Sequence, residues 1–380
     1  AWGGGMTVWT TGNSLGTARS SVAGCGSSAA GFVAGGGAYL KTSEEMNALV
    51  WVAGGSMSTG RTNQSAFGTQ SAAVMTTGTT GASAWTSSTE NYNGTSFASG
   101  TAYSSAITMA YGCGTSSAGL VCGGSINNSY SGIQNATKTF NGSAWSATGN
   151  LVSHRYVHAA AGSQSAAFEC GGENNVGNMQ STSNNFNGST WASSGALPAS
   201  VEAAAAFGTQ TAGRNVGGIN TSYATIATTY LYNGSTWSTG NNLNSARYGA
   251  SGGSEVAAGG YNPSTGASAV SEIYGDRIPS AFGFTDAVDA NLSTVTTSDT
   301  VTPTGYDVTT SWTVTGGEAS VAGGAWATSG TINPGQNIQL RATSSASYAT
   351  AVSATLTIGG ISDTWYVTTR NAPVPQIIFL

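Results

Sequence analysis

One six-residue phrase recurs along this chain. It reads YNGTSF at 92–97, FNGSAW at 140–145, FNGSTW at 186–191 and YNGSTW at 232–237, with a weaker copy, MNALVW, at 46–51. Each strong copy sets an aromatic residue, then Asn-Gly, then a second aromatic five residues after the first. Asn-Gly is the strongest short-range hairpin signal, because a type I′ turn needs positive φ at both central residues and these two tolerate it. Each copy is therefore expected to be the tip of a β-hairpin closed by a type I′ turn.

The second aromatic falls at Trp9, Trp51, Phe97, Trp145, Trp191 and Trp237, with spacings of 42, 46, 48, 46 and 46 residues. A Gly-Gly slot keeps step at Gly35-Gly36, Gly123-Gly124, Gly171-Gly172, Gly217-Gly218 and Gly259-Gly260, and reads Thr77-Gly78 in the second unit. Between the Trp and the next Gly-Gly lies an Arg slot at Arg19, Arg61, Arg155 and Arg247, filled by Ile107 and Val201 in the other two units. Six units of this length, each with four short strand candidates, predict a six-bladed β-propeller.

Gly-Gly ending one strand, an aromatic closing the next and a Trp after it resemble the kelch repeat, over residues 1–278. The resemblance implies that each blade runs as strand A through the Arg slot, B into Gly-Gly, C into the aromatic before Asn-Gly, and D through the Trp. The last unit breaks this order, since SEIYGD at 271–276 is followed by Pro279 where a Trp would stand. The N-terminal stretch MTVWTTG at 6–12 carries the missing Trp. It is expected to complete blade six and so remove the exposed edges of an open sheet.

Composition agrees with an all-β chain. Only 7% of residues are charged and 56 are glycine, while the 39% hydrophobic share is largely Ala, Val and aromatics, which suits thin stacked sheets. The net charge of −5 comes without a Lys/Arg cluster, so nucleic acid is not an expected partner. No apolar run approaches the ~18 residues of a membrane-spanning helix. The chain begins with Ala and shows no basic segment followed by an apolar stretch, so no signal peptide is read here, and a processed or longer protein is expected. Cys25 and Cys113 share one repeated slot, and Cys122 and Cys170 each precede a Gly-Gly; all four read as buried free thiols rather than as a disulfide or zinc set.

Residues 283–380 have another texture. SWTVTG, NIQLRAT, SATLTIGG and DTWYVTTR alternate as half-buried antiparallel strands, which predicts one β-sandwich. The run from NPGQNIQLRAT to DTWYVTTR resembles Ig-like modules of bacteriophage virion proteins and bacterial surface proteins.

Catalytic chemistry finds little material. Residues 1–275 contain no Asp, which rules out a Ser-His-Asp triad within the repeats. Glu169, Glu173, Glu202 and Glu255 could supply a carboxylate pair, but they read as single exposed glutamates. His154 and His158 would stand about 13 Å apart on a strand, too far to share a metal. No catalytic residue, metal or cofactor is expected.

A binding face remains. In alternating strands the Arg slots Arg19, Arg61, Arg155 and Arg247 lie near one rim together with the B-to-C loops. Those loops carry Tyr39, Tyr130, Tyr223 and Tyr261 beside Asn127, Asn128, Asn174, Asn175, Asn220 and Asn262. Flat rings flanked by amides suit sugars; alternatively, the tyrosines cover the rim and the arginines brace neighbouring blades. The resemblance of both parts implies a non-catalytic phage virion surface protein, such as a tail fibre, receptor-binding or capsid-decorating component, attaching to host-surface glycans. It would work as a homo-oligomer among other virion proteins. The other readings are a bacterial surface or secreted adhesin, a purely structural coat or fibre subunit, and a carbohydrate-active enzyme.

Overall fold

A computed structural model describes residues 8–374 other than 29, 48–49, 128, 254, 276–278 and 307–308. The described chain is all-β, made of many small, mostly antiparallel sheets with two single-turn 3-10 segments. Among the described residues no helix is long and apolar enough to cross a membrane. Two compact units separate, one spanning Trp9–Tyr274 and the other carrying the chain from Gly275 onward.

Six four-stranded sheets, with three small two-stranded ones beside them, make up the described part of the first unit. Sheets one to five each take four strands in chain order: one from Ala23–Gly26 to Val50–Ser56, two from Ser65–Thr69 to Phe97–Gly100, three from Tyr111–Thr115 to Trp145–Ala147, four from Ala159–Ser163 to Trp191–Ser193, and five from Ala205–Thr209 to Trp237–Thr239. Sheet six is assembled from both ends of the unit: Ser251–Gly253, Val256–Ala258 and Ser271–Gly275 are joined at the edge by Val8–Thr11. Gly12 N donates to Ser271 O at 2.9 Å just beyond that pairing. Met6 and Thr7, which belong to the stretch expected there, lie outside the described residues.

Hairpin tips fall where Asn-Gly recurs, but the turn type differs from the expectation. Tyr92 pairs with Phe97, so four residues form the loop, and positive φ is confined to the glycine (Gly94, 92°). Asn93 instead accepts from Thr95 N at 3.0 Å and Ser96 N at 2.9 Å through its side-chain oxygen. Asn141, Asn187 and Asn233 repeat the arrangement. The asparagine thus works as an Asx-turn acceptor rather than as a left-handed residue.

The Trp-slot residues of sheets two to six pack back on the preceding sheet. Trp237 stacks on Tyr232 of its own sheet at 4.6 Å and meets Phe168 of sheet four edge-on at 5.7 Å, while its indole N–H donates to Ser183. Trp9 does the same between sheets six and five, against Tyr274 and Phe207, with its N–H on Thr229. Burying such a ring removes about 150–250 Å² from water, or about 4–6 kcal/mol before ordering entropy is subtracted. First strands need small residues to come together: a Cβ on Gly252 would stand 2.3 Å from Ala206 O of the neighbouring sheet.

A second linkage runs through the Gly-Gly slots. The N–H of each second glycine donates to the carbonyl of the Arg-slot residue one repeat ahead: Gly36 to Arg61 (3.0 Å), Gly78 to Ile107, Gly124 to Arg155 and Gly172 to Val201 (2.8 Å each), and Gly218 to Arg247 (2.9 Å). Gly260 completes the cycle by donating to Arg19 at 2.8 Å. First strands likewise neighbour one another from sheet one to sheet six and back to sheet one.

The second unit has one continuous core. A five-stranded sheet in the order Ala287–Ala290, Ile361–Thr369, Ala351–Ile358, Thr310–Thr315, Ser329–Ile332 and a three-stranded sheet of Val295–Val301, Ile338–Thr343 and Glu318–Val321 both contribute to it. Alternate residues point inward, as period-two strands require: Trp312 and Val314, Ile338 and Leu340, Leu356 and Ile358, Trp365 and Val367.

Candidate binding site

The four Arg-slot side chains are not rim ligands. Arg19, Arg61, Arg155 and Arg247 are at most 2% exposed. Each is ion-paired: Arg19 with Glu44 (3.0 Å), Arg61 with Glu90 (2.6 Å), Arg155 with Glu169 (3.1 Å) and Arg247 with Glu272. Each arginine braces its own sheet rather than a neighbouring one. Arg19 Nη1 donates to Gly35 O and Thr42 O, Arg61 Nη1 to Thr77 O and Ser88 O, and Arg247 Nη1 to Gly259 O and Val270 O, tying the end of the second strand to the start of the third. The carboxylates in turn receive backbone N–H groups of the incoming loop, Thr17 on Glu44, Ser58 on Glu90 and Asn244 on Glu272. Burial pulls the Arg19, Arg61 and Arg247 guanidinium pKa values down, and their glutamates oppose that shift.

Sheets three and five, with Ile107 and Val201 in the slot, carry Lys138 and Tyr230 where Glu44, Glu90 and Glu272 stand. A signal for the pairing therefore existed in the sequence: a Glu follows Arg19, Arg61 and Arg247 by 25, 29 and 25 residues. Glu169 departs from it by sitting on the second strand, where Asn184 of the third strand also binds it. It is fully buried rather than exposed, and burial raises its pKa to about 7 against the pull of Arg155 and Asn184.

Two residues past each Arg slot the backbone turns left-handed in all six repeats. The residues are Ser21 (50°), Asn63 (52°), Met109 (56°), Val157 (45°), Ala203 (53°) and Gly249 (58°). This conformation costs an L-residue about 1–2 kcal/mol and is least tolerated by a β-branched side chain such as Val157. The strain is held by successive backbone bonds: Asn63 N to Ser21 O, Met109 N to Asn63 O, Val157 N to Met109 O, Ala203 N to Val157 O and Gly249 N to Ala203 O, at 2.7–3.3 Å. Val22 N to Gly249 O, at 3.4 Å, brings the chain of bonds back to its start.

These six residues line a cavity of about 270 Å³. A second cavity of about 100 Å³ lies among the first strands, and Tyr111 lines both. Tyr111 belongs to sheet three, yet its hydroxyl receives Ala206 N of sheet five at 3.3 Å, so the ring reaches across between the two spaces. Burial raises the Tyr111 pKa to about 12, so it stays protonated.

Glu173 and Glu202 do not stand alone, contrary to expectation. Tyr156 donates to Glu173 Oε2 at 2.6 Å, and Glu173 raises the pKa of Tyr130. Glu202 lines the larger cavity, and its pKa is lifted to about 7, first by burial and then by the charge of Glu173 and a hydrogen bond to it. Its Oε2 is shielded from water with no ordinary donor in reach, so the two carboxyls are satisfied when one proton is shared between them. Glu255 is half-buried, with Ser28 Oγ at 3.4 Å from its carboxylate.

The expectation for the histidines also changes. His154 and His158 lie in the turn containing left-handed Val157, not on a strand. His158 is buried, and burial followed by the charge of Arg155 lowers its pKa to about 3. No group of three or more His, Cys, Asp or Glu side chains suited to a metal occurs among the described residues. Cys25, Cys113, Cys122 and Cys170 are free and buried, with thiol pKa values raised by burial.

The loop tyrosines differ among themselves. Tyr223 is 79% exposed, Tyr130 49% and Tyr39 38%, whereas Tyr261 is half-buried and packs on Tyr248 at 5.5 Å. Tyr39 and Tyr223 are themselves left-handed, at 53° and 58°. Tyr130 stands over Gly177 of the next repeat, where a Cβ would come within 2.8 Å of the ring. The nearby asparagines pin these loops: Asn127 accepts from Ser129 N, Asn174 from Val176 N and Asn178 N, Asn220 from Ser222 N and Ala224 N, and Asn262 from Ser264 N. Asn128 lies outside the described residues.

No protein-family model matches the sequence. No curated protein is similar to it. Among solved structures that match, one titled "Structure of YjhT" superposes with a TM-score of 0.59 at 13% identity, over 68% of this chain and 95% of its own. At that identity the likeness is one of fold alone.

Proposed function

We propose that the first unit is a six-bladed kelch-like β-propeller closed by its N-terminal strand, that the second is an Ig-like sandwich, and that the chain is a non-catalytic attachment protein. The propeller reading is supported by six four-stranded sheets and by the Gly-Gly bonds that return from Gly260 to Arg19. The attachment reading is carried by one observation: Tyr39, Tyr130 and Tyr223 remain exposed on loops whose backbones are fixed by neighbouring groups. Rigid aromatic faces lose little entropy on binding and stack on the apolar faces of sugars. Host-surface glycans are the proposed ligand, and the surface of a phage virion is the proposed location, with other virion proteins and further copies of this chain as neighbours.

The carboxylate pair does not favour a hydrolase. Glycosidases hold their two carboxyls at least ~5 Å apart to flank the scissile bond, whereas Glu173 stands close enough to Glu202 to raise its pKa after burial has done so. The test is a glycan array probed with the intact chain and with a Tyr130→Ala, Tyr223→Ala double variant. Binding that the double variant loses by at least about tenfold, without release of reducing sugar, is the expected result. Equal binding by both proteins, or sugar release, would overturn the reading.

A further inference from the structure

We propose, resting on the glycan reading above, that the arc of loops carrying Tyr130 and Tyr223 takes uncharged sugar units and rejects acidic ones that bear a carboxylate or phosphate. Three successive repeats build the arc. Tyr130, from the loop of repeat three, lies over Gly177 in the loop of repeat four, its ring 2.8–3.1 Å from where a Cβ would stand. Glu173 opens that second loop, bridging Met179 across its base, and Tyr156 donates to Glu173 Oε2 at 2.6 Å. Gly172 N donates to Val201 O at 2.8 Å, which makes the residues that follow, Glu173 and Glu202, neighbours across repeats four and five. Val201 pairs in turn with Asn220, whose carbonyl receives Tyr223 N at 2.8 Å. Glu173 raises the Tyr130 pKa, with Tyr223 and Glu202 adding less, so these four groups lie within electrostatic reach of one another.

The chemistry of this surface is one-sided. Tyr130 and Tyr223 are joined by Ile126 (45% exposed) and Val176 (67%), from the loops of Tyr130 and Glu173, so the arc offers apolar faces to the C–H side of a sugar ring. A carboxylate only accepts hydrogen bonds and has about four lone-pair sites. Tyr156 takes one on Glu173, and sugar hydroxyls are donors for the rest. An ionised group on the sugar has no proton to give and adds a like charge.

No Lys or Arg of these repeats is placed to offset that charge. Of the seven in the first unit, four are engaged by buried glutamates, Arg214 lies over the Phe207 and Tyr274 rings, and Lys138 is held on Ser104 above Tyr103. Lys41 is exposed, but it belongs to repeat one, beside Tyr39.

The glycan array, read as matched pairs, separates charge selection from glycan binding itself. Each neutral glycan is compared with its counterpart carrying one added sialate, uronate or phosphate. Neutral hits that the Tyr130→Ala, Tyr223→Ala double variant loses should be bound by the intact chain at least about tenfold tighter than their acidic counterparts. Raising the salt to about 1 M, where the Debye length is about 3 Å, should narrow that ratio at least about threefold. A steric rejection of the added group would not respond to salt. Glu173→Gln keeps an acceptor for Tyr156 and should narrow the ratio at least about fivefold at low salt, which a carboxylate that merely pins the loop would not do. Acidic and neutral members bound equally, at spots the double variant loses, would overturn the charge selection while leaving the glycan reading standing. A ratio unmoved by both salt and Glu173→Gln would overturn it as well. An intact chain that binds no glycan would overturn both.

Discussion

The two units use the same ion pair in opposite settings. In the first, four arginines at most 2% exposed hold buried glutamates. In the second, Arg341 and Glu318 pair with 35% and 41% of their side chains exposed, and Arg341 lies over the Trp326 ring. The difference follows from how each unit builds its core. Two facing sheets in the second unit fill one interior with Trp312, Trp365 and aliphatic neighbours. Each small sheet of the first unit must instead secure its own loops, and a guanidinium with several fixed donors joins three chain segments at once. A buried pair gives little net stability over an apolar replacement, but removing one partner leaves an uncompensated charge.

The comparison breaks most visibly by single substitutions. Arg61→Ala, which strands Glu90 beside the Ser88 carbonyl, should destabilise the first unit by about 3–5 kcal/mol. Arg341→Ala should cost the second unit less than about 1 kcal/mol. Denaturant melts of the two variants check this, and equal losses would refute the contrast. Replacing Arg61 and Glu90 together by Ile and Lys, the residues of sheet three, should recover much of the first loss.

Smaller effects probe the Gly-Gly linkage. Gly172→Ala would force a left-handed alanine (φ 79°) whose Cβ meets His158 Cβ at 2.6 Å, and a loss of about 1–2 kcal/mol or more is expected. Thr77 already occupies the first glycine slot at φ 63°, with a buried hydroxyl lacking a partner. Thr77→Gly should therefore raise stability by about 1 kcal/mol, measured as a shift in the denaturant midpoint.

The smallest effect is one of pH. The folded-state pKa of Glu202, raised to about 7, lies above its unfolded value. Its stabilising contribution is full below about pH 4.5 and is lost as pH rises through 7. His158, lowered to about 3, acts in the opposite sense and loses stability as pH falls below about 6.5. Melting temperatures from pH 5 to 8 should thus decline less steeply on the alkaline side in Glu202→Gln, with the acid side unchanged.

What could be read from the sequence was whatever a local rule spells out. Asn-Gly between aromatics marks hairpin tips because only a few residue types make tight turns. The misplaced Trp9 announced that Val8–Thr11 belongs beside Ser271–Gly275. Features set by tertiary contact were hidden. Ser21, Asn63, Met109, Val157, Ala203 and Gly249 share a left-handed backbone without sharing a residue type, because the bonds between repeats impose it. Glu173 and Glu202 come from different repeats, and nothing at either position marks the other. The Arg slots misled because an arginine near a rim looks accessible, and only the partner on another strand shows that it is not.

Everything in the first unit depends on a circuit that returns to its beginning, and amide hydrogen exchange at the six second glycines tests it most directly. Gly260 N–H, bonded to Arg19 O, should exchange as slowly as Gly78 and Gly172 N–H, and all should open together. Deleting residues up to Gly12 should speed Gly260 and the sheet-six amides first. Fast exchange at Gly260 in the intact chain, with Gly78 and Gly172 still protected, would contradict the account.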